Sequence, residues 1–130
     1  MMRRKNFLDP DDLNQFTDSK QWHEFSTLTP DALLSDCALW VAEEGDVFWF
    51  FDIVGLFQSI NDEYNQEIFQ HWIVKFEESG IVTIKCEDGN NNFIYSQVKP
   101  NEIFPFRSFD LYAAVNKDGK IKLMVPGEYK

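Results

Sequence analysis

The order of apolar and polar residues changes along the chain from a helical period to a period of two. After Ser35, a good helix cap, apolar residues recur at helical spacing up to Gly45, a typical stop signal. Asp46 is predicted to cap a second helix over residues 47 to about 60. Because this second helix is apolar on nearly every face, we expect it to be the buried one.

The alternation of apolar and polar residues that follows predicts strands joined by short polar turns. Their centres lie at residues 72–76, 81–86, 93–98, 109–115 and 121–125. Helices first and strands afterwards indicate an α+β fold, in which the N-terminal helices pack on one face of an antiparallel sheet of about five strands.

The first 34 residues carry weaker signals. Residues 1–8 are predicted to be a flexible tip, and residues 9–130 a single domain. Asp9 and Pro10 have the form of a cap and first residue of a short helical turn. Between residues 16 and 34 the signals are mixed, and Trp22 and Phe25 are expected to be core anchors.

Composition favours a packed core in a reducing compartment. Hydrophobic residues make up 44% of the 130 residues and aromatic residues 16%, too many for a disordered chain. The two cysteines are far apart and no signal peptide is evident, so a cytoplasmic location with free thiols is expected. The longest apolar stretch, residues 47–57, is too short for a membrane span.

The charge is more informative, because it is unevenly distributed. The formal net charge is −10, and residues 21–67 hold ten acidic residues with no Lys or Arg. Such a segment repels nucleic acid and attracts basic protein surfaces, so a basic protein partner is predicted and direct nucleic-acid binding is not. The acidic residues predicted to dock that partner are Glu43, Glu44, Asp46, Asp62 and Glu63.

No metal or cofactor is predicted. Asp88, Asn90 and Asn92 have calcium-loop spacing, but Phe93 and Lys99 stand where that loop needs Gly and Glu, so a hairpin turn is expected instead. The soft zinc ligands lack paired spacing, and none of the usual nucleotide-binding or hydrolase motifs occurs. The soft ligands are Cys37, Cys86, His23 and His71.

Asp52 is the most informative single residue, since an ionised carboxylate cannot lie unpaired among the apolar neighbours of the second helix. One interpretation makes it a buried cap or a partner of Arg107, a Tyr hydroxyl or an indole N–H. The other makes it a general acid or base in a cleft, joined by Asp36 or His71.

Several segments together resemble a family of small uncharacterised bacterial proteins, often encoded in plasmid, phage or cyanobacterial contexts. The resemblance covers most of the chain and implies no known activity, substrate or catalytic residue. It rests on Phe16-Thr17, Trp22, Ser35-Asp36, residues 42–45, residues 48–52, residues 86–90, Leu123, Pro126 and Glu128-Tyr129.

Three functions remain open. The favoured one is a non-enzymatic binding or accessory protein whose acidic, aromatic segment 21–67 docks a basic partner. The second is a small enzyme with a cleft formed by Asp52, Asp36 or His71, which requires these groups to converge. The third is a DNA-mimicking inhibitor. The sequence also allows a homodimer.

Overall fold

In the described part of the chain, seven β-strands form one sheet, and two α-helices pack on one of its faces. The computed structural model describes residues 7–27, 29–60, 69–77, 79–115 and 120–129. The α-helices are α1 (Asp36–Glu44) and α2 (Phe48–Ile60), and 3₁₀ helices span Pro10–Gln15 and Pro126–Glu128. The strands are β1 (His23–Glu24), β2 (Ala32–Leu34), β3 (Phe69–Glu77), β4 (Ile81–Asp88), β5 (Phe93–Pro100), β6 (Ser108–Val115) and β7 (Ile121–Met124).

The α+β organisation and the five predicted strands, β3 to β7, are confirmed, but the sheet is larger than the predicted five. Its strand order is β1-β2-β7-β6-β3-β4-β5. The additional strands come from the segment with mixed signals. They have only two and three residues, too few to show a period of two. All strand pairs are antiparallel except β2 with β7, which is parallel.

The caps of the helices follow from local chemistry. The Ser35 hydroxyl accepts a hydrogen bond from the Ala38 amide at 3.0 Å and begins α1, as predicted. Gly45 ends α1, again as predicted, although its φ of −88° is available to any residue. The reason for glycine is space, because an added Cβ would lie 2.6 Å from Pro105 Cγ. Asp46 was predicted to cap α2, but it lacks the extended backbone of a helix cap, because its φ is left-handed at 56°.

The inner face of the sheet packs against α1 and α2 to form the core. Alternate residues of each long strand point inward, and the largest buried side chain is Trp72. Helix α2 contributes four buried apolar side chains, as its sequence predicts, while Leu56 remains 38% exposed. The four are Phe50, Phe51, Val54 and Phe57.

Neither α1 nor α2 covers the other face, here called the open face. Strand register aligns its side chains in cross-strand rows. One row runs from β5 to β7 and a second from β5 to β6. The first contains Phe93, Glu87, His71, Tyr112 and Met124. The second contains Val98, Thr83, Lys75 and Ser108.

Candidate functional site

Two acidic segments that are distant in sequence meet at Pro105. The Leu8 amide donates a hydrogen bond to the Pro105 carbonyl at 3.1 Å, while the other side of Pro105 contacts Gly45. The acidic residues that follow Leu8 and those that flank Gly45 are therefore linked through Pro105. We call this group of exposed carboxylates the acidic corner: Asp9, Asp11, Asp12, Glu43, Glu44 and Asp46.

Local backbone geometry positions both halves of the acidic corner. Asp9 is the predicted cap of the 3₁₀ helix, and its Oδ1 accepts a hydrogen bond from the Asp11 amide at 2.9 Å. Glu43 and Glu44 lie in the last turn of α1, which contains no basic residue. A helix C-terminus carries partial negative charge, so two carboxylates there are electrostatically unfavourable.

Two other acidic residues of segment 21–67, Asp31 and Asp36, lie elsewhere and have local partners. Asp31 Oδ1 lies 3.3 Å from Lys120 Nζ. Asp36 Oδ1 lies 2.8 Å from His23 Nε2. The predicted docking residues Asp62 and Glu63 fall outside the described residues.

Asp36, one of the three catalytic candidates, is held at the start of α1 by β1 and the segment before it. The hydrogen bond from His23 lowers the pKa of Asp36, and a second one from the Lys20 amide at 2.9 Å lowers it further. Both bonds favour the ionised carboxylate, which suits a structural anchor between β1 and α1.

His71, the second candidate, lies on the open face of β3. Its Nε2 is 3.0 Å from Asp110 Oδ1, and Tyr112 packs edge-on against the imidazole at 5.2 Å between ring centroids. Asp110 also lines a cleft of about 370 Å³ between β6 and the two 3₁₀ helices. The polar side chains of this cleft are Asn14, Thr17, Ser108 and Asp110.

Asp52, the third candidate, is partly buried on α2. Burial raises the pKa of its carboxyl. Among the described residues no hydrogen bond or ion pair to this carboxylate is found. Asp52, Asp36 and His71 thus have separate environments, and neither Asp36 nor His71 has another of the three as its hydrogen-bond partner.

A buried carboxylate to which the sequence assigned no role ties the C-terminal turn to α1. Glu128 is only 3% exposed and accepts hydrogen bonds from the Ser35 hydroxyl, the Cys37 amide and the Val125 amide. Because more than 90 residues separate Glu128 from Ser35, no local pattern could have indicated the contact. The only local signal was the acidic residue in the final Pro-Gly-Glu turn.

The cysteines are two separate buried thiols. Burial raises the pKa of Cys86 to about 12 and that of Cys37 further, so both remain protonated near neutral pH. No group of three or more His, Cys, Asp or Glu side chains that could hold a metal ion exists within the described ranges. In the same part of the chain, no helix has the length and apolar character needed to cross a membrane.

Comparison with known proteins assigns a family and no activity. The sequence profile of a family of unknown function, DUF6876, matches residues 9–129. No curated protein matches the chain significantly, and no solved structure does so either. Because the profile spans nearly the whole chain, the chain belongs to this family of unknown function, DUF6876.

Proposed function

We propose that the chain is a non-enzymatic binding protein that docks a basic surface of a partner protein at the acidic corner. The observation that carries the proposal is the contact of Pro105 with both Leu8 and Gly45, which joins two acidic segments. We therefore place the proposed docking surface at residues 9–12 and 43–46. It replaces the whole segment 21–67 that the sequence predicted.

The electrostatics of the corner support a docking role. All six carboxylates are exposed, so a partner can reach them without rearrangement of the core. Two of them lie at a helix end where they cost stability, and such a conflict with a local rule is typical of functional sites. Arg107 lines a cleft together with Leu8, Pro10 and Pro105, next to the first half of the corner.

The test is a titration with a fluorescent peptide of about ten lysines, followed by anisotropy at low and at physiological ionic strength. Contacts between exposed charges weaken as salt shortens the screening length, so we expect affinity to fall at the higher ionic strength. We also expect the variant Glu43→Gln/Glu44→Gln to bind several-fold more weakly than the wild type.

The matched control is Asp18→Asn/Glu24→Gln, which removes the same charge from exposed residues outside the corner. Equal losses of affinity in the two double variants would show only a response to net charge and would contradict a localised docking site. Once the site is located, the same pair of variants used as bait at two salt concentrations identifies natural partners that depend on it.

A small enzyme is the second candidate, favoured by one observation. Asp110, which lies 3.0 Å from the His71 imidazole, lines the polar cleft, and an imidazole oriented by a carboxylate is a typical general base. Hydrolysis of a panel of chromogenic esters, abolished by His71→Ala but retained by His23→Ala, would favour this function over binding.

A further inference from the structure

The two edges of the sheet differ greatly in the backbone they expose. At one edge, β1 consists of only two residues. At the other edge, β5 has eight residues, and no described strand pairs with its outer side. An edge strand exposes a row of unpaired N–H and C=O groups, and proteins usually protect it by shortness, charge, proline or a bulge.

Strand β5 has these protections only at its ends. A register irregularity opposite Cys86 and Glu87 disrupts its beginning, and Lys99 and Pro100 close its end. Between them, residues 95–98 form a regular and uncharged edge. This is a self-compatible template for another strand.

The exposed apolar side chains of β5 lie on one face of the sheet. Phe93 is 65% exposed and Val98 59% exposed, the highest values among the large hydrophobic residues that the structure describes. Five residues apart, they would lie on opposite faces of a regular strand. The irregularity corrects this, because Phe93 pairs with Glu87 and Val98 with Thr83, both on the open face.

We infer that two copies of the chain associate through β5, pairing antiparallel about a two-fold axis to form a continuous fourteen-stranded sheet. A second copy is favoured over an unrelated partner because it supplies the same exposed apolar side chains. Pairing about a two-fold axis brings Phe93 and Val98 of both copies into one interface. Charge also favours this location. In a chain of net charge −10, β5 carries one charged residue, Lys99, so self-association here avoids contact between the acidic corners.

Because β1 at the other edge of the sheet is short, pairing through β5 is expected to stop at a dimer and not to continue into a chain of molecules. A head-to-tail contact of β5 with β1 would offer only two residues for pairing, whereas β5 with β5 offers the whole uncharged stretch. The irregularity and Pro100 limit that stretch, so the contact area is small and a concentration-dependent dimer is expected.

Sedimentation velocity of the full chain at increasing concentration tests the inference. We expect a monomer–dimer equilibrium that Val98→Lys shifts toward monomer by at least tenfold in Kd, with a similar effect of Phe93→Lys. The matched control is Leu56→Lys, which changes an exposed apolar residue of α2 and should leave the equilibrium unchanged.

Cross-linking locates the interface independently. Ser96→Cys places a thiol on the outer strand near the two-fold axis, while Thr27→Cys places one on an exposed loop, and both native thiols are buried. A bismaleimide should join copies of the first variant and not of the second. A chain that is monomeric up to about 1 mM, a dimer insensitive to Val98→Lys, or capture of an extended peptide by a monomeric chain would each overturn the proposal.

Discussion

Glu128 shows how one side chain can join segments that are distant in sequence. Its buried carboxylate accepts hydrogen bonds from Ser35, Cys37 and Val125, and so connects the C-terminal turn with the start of α1. Buried charged acceptors of this kind are costly to lose, because their donors are left without a partner.

We therefore expect Glu128→Gln to lower the free energy of unfolding by about 2 kcal/mol, since an amide cannot accept all three bonds. Urea denaturation monitored by tryptophan fluorescence measures this loss. The control is the exposed Glu44→Gln, for which we expect no loss. Ser35→Ala combined with Glu128→Gln should give less than the sum of the single losses, and strict additivity would contradict the shared network.

The Asp52 carboxylate, unlike that of Glu128, is expected to lower the stability of the folded chain at neutral pH. Its folded-state pKa is raised by burial, so the folded chain binds this proton more tightly than the unfolded chain does. The favourable contribution of the proton is complete below the unfolded pKa and is lost as the pH rises through the folded pKa.

Asp52→Asn is accordingly expected to gain about 0.5 kcal/mol over the wild type at pH 7, and this gain should vanish in acid. Thermal unfolding between pH 3 and 7 measures the difference. A large loss of stability at pH 7 would instead reveal a structural partner of the carboxylate.

At the scale of elements, α2 is held against the segment before β2 by the contact of Gly55 with Thr29. An added Cβ on Gly55 would lie 3.1 Å from three side-chain atoms of Thr29, which is itself 3% exposed. The Thr29 hydroxyl is buried and has no hydrogen-bond partner in the part of the chain that the structure describes. Close packing at this position thus outweighs both the low helix propensity of Gly55 and the missing hydrogen bond of the Thr29 hydroxyl.

Gly55→Ala would stabilise an isolated helix, but here we expect a loss of about 1 kcal/mol from overpacking. In the background Thr29→Ala, which removes two of the three close atoms, Cγ2 and the hydroxyl oxygen, the loss should shrink or reverse. Differential scanning calorimetry of the four variants measures this coupling, and equal effects of Gly55→Ala in both backgrounds would contradict it.

At the scale of the whole molecule, charge and stability are in conflict at the acidic corner. Glu43 and Glu44 oppose the dipole of α1 and add to the self-repulsion of a chain with net charge −10.

Glu43→Gln/Glu44→Gln should therefore raise stability by roughly 0.5 kcal/mol per carboxylate at low ionic strength, with a smaller gain in high salt. Chemical denaturation at two salt concentrations measures it. If the same variant also binds the peptide more weakly, a gain in stability would mean that these carboxylates support binding and lower stability. A loss of stability would assign these carboxylates a structural role.

Residues close in sequence determined much of the local structure. Ser35 and Asp9 indicated their helix caps, and the period of two indicated β3 to β7, because capping bonds and strand alternation involve neighbouring residues. Gly45 was predicted as the end of α1 by general preference, while its contact with Pro105 became visible only in the fold. The uneven charge was likewise evident without a structure.

Tertiary structure alone decided which distant segments meet. Residues 32–34 form a strand because β7, some ninety residues away in sequence, pairs with them. Glu128 can be buried because Ser35 donates a hydrogen bond to it. In the same way Pro105 contacts both Leu8 and Gly45, and so links two acidic segments that are distant in sequence. Such contacts depend on how the whole core packs, and no local pattern of residues records them.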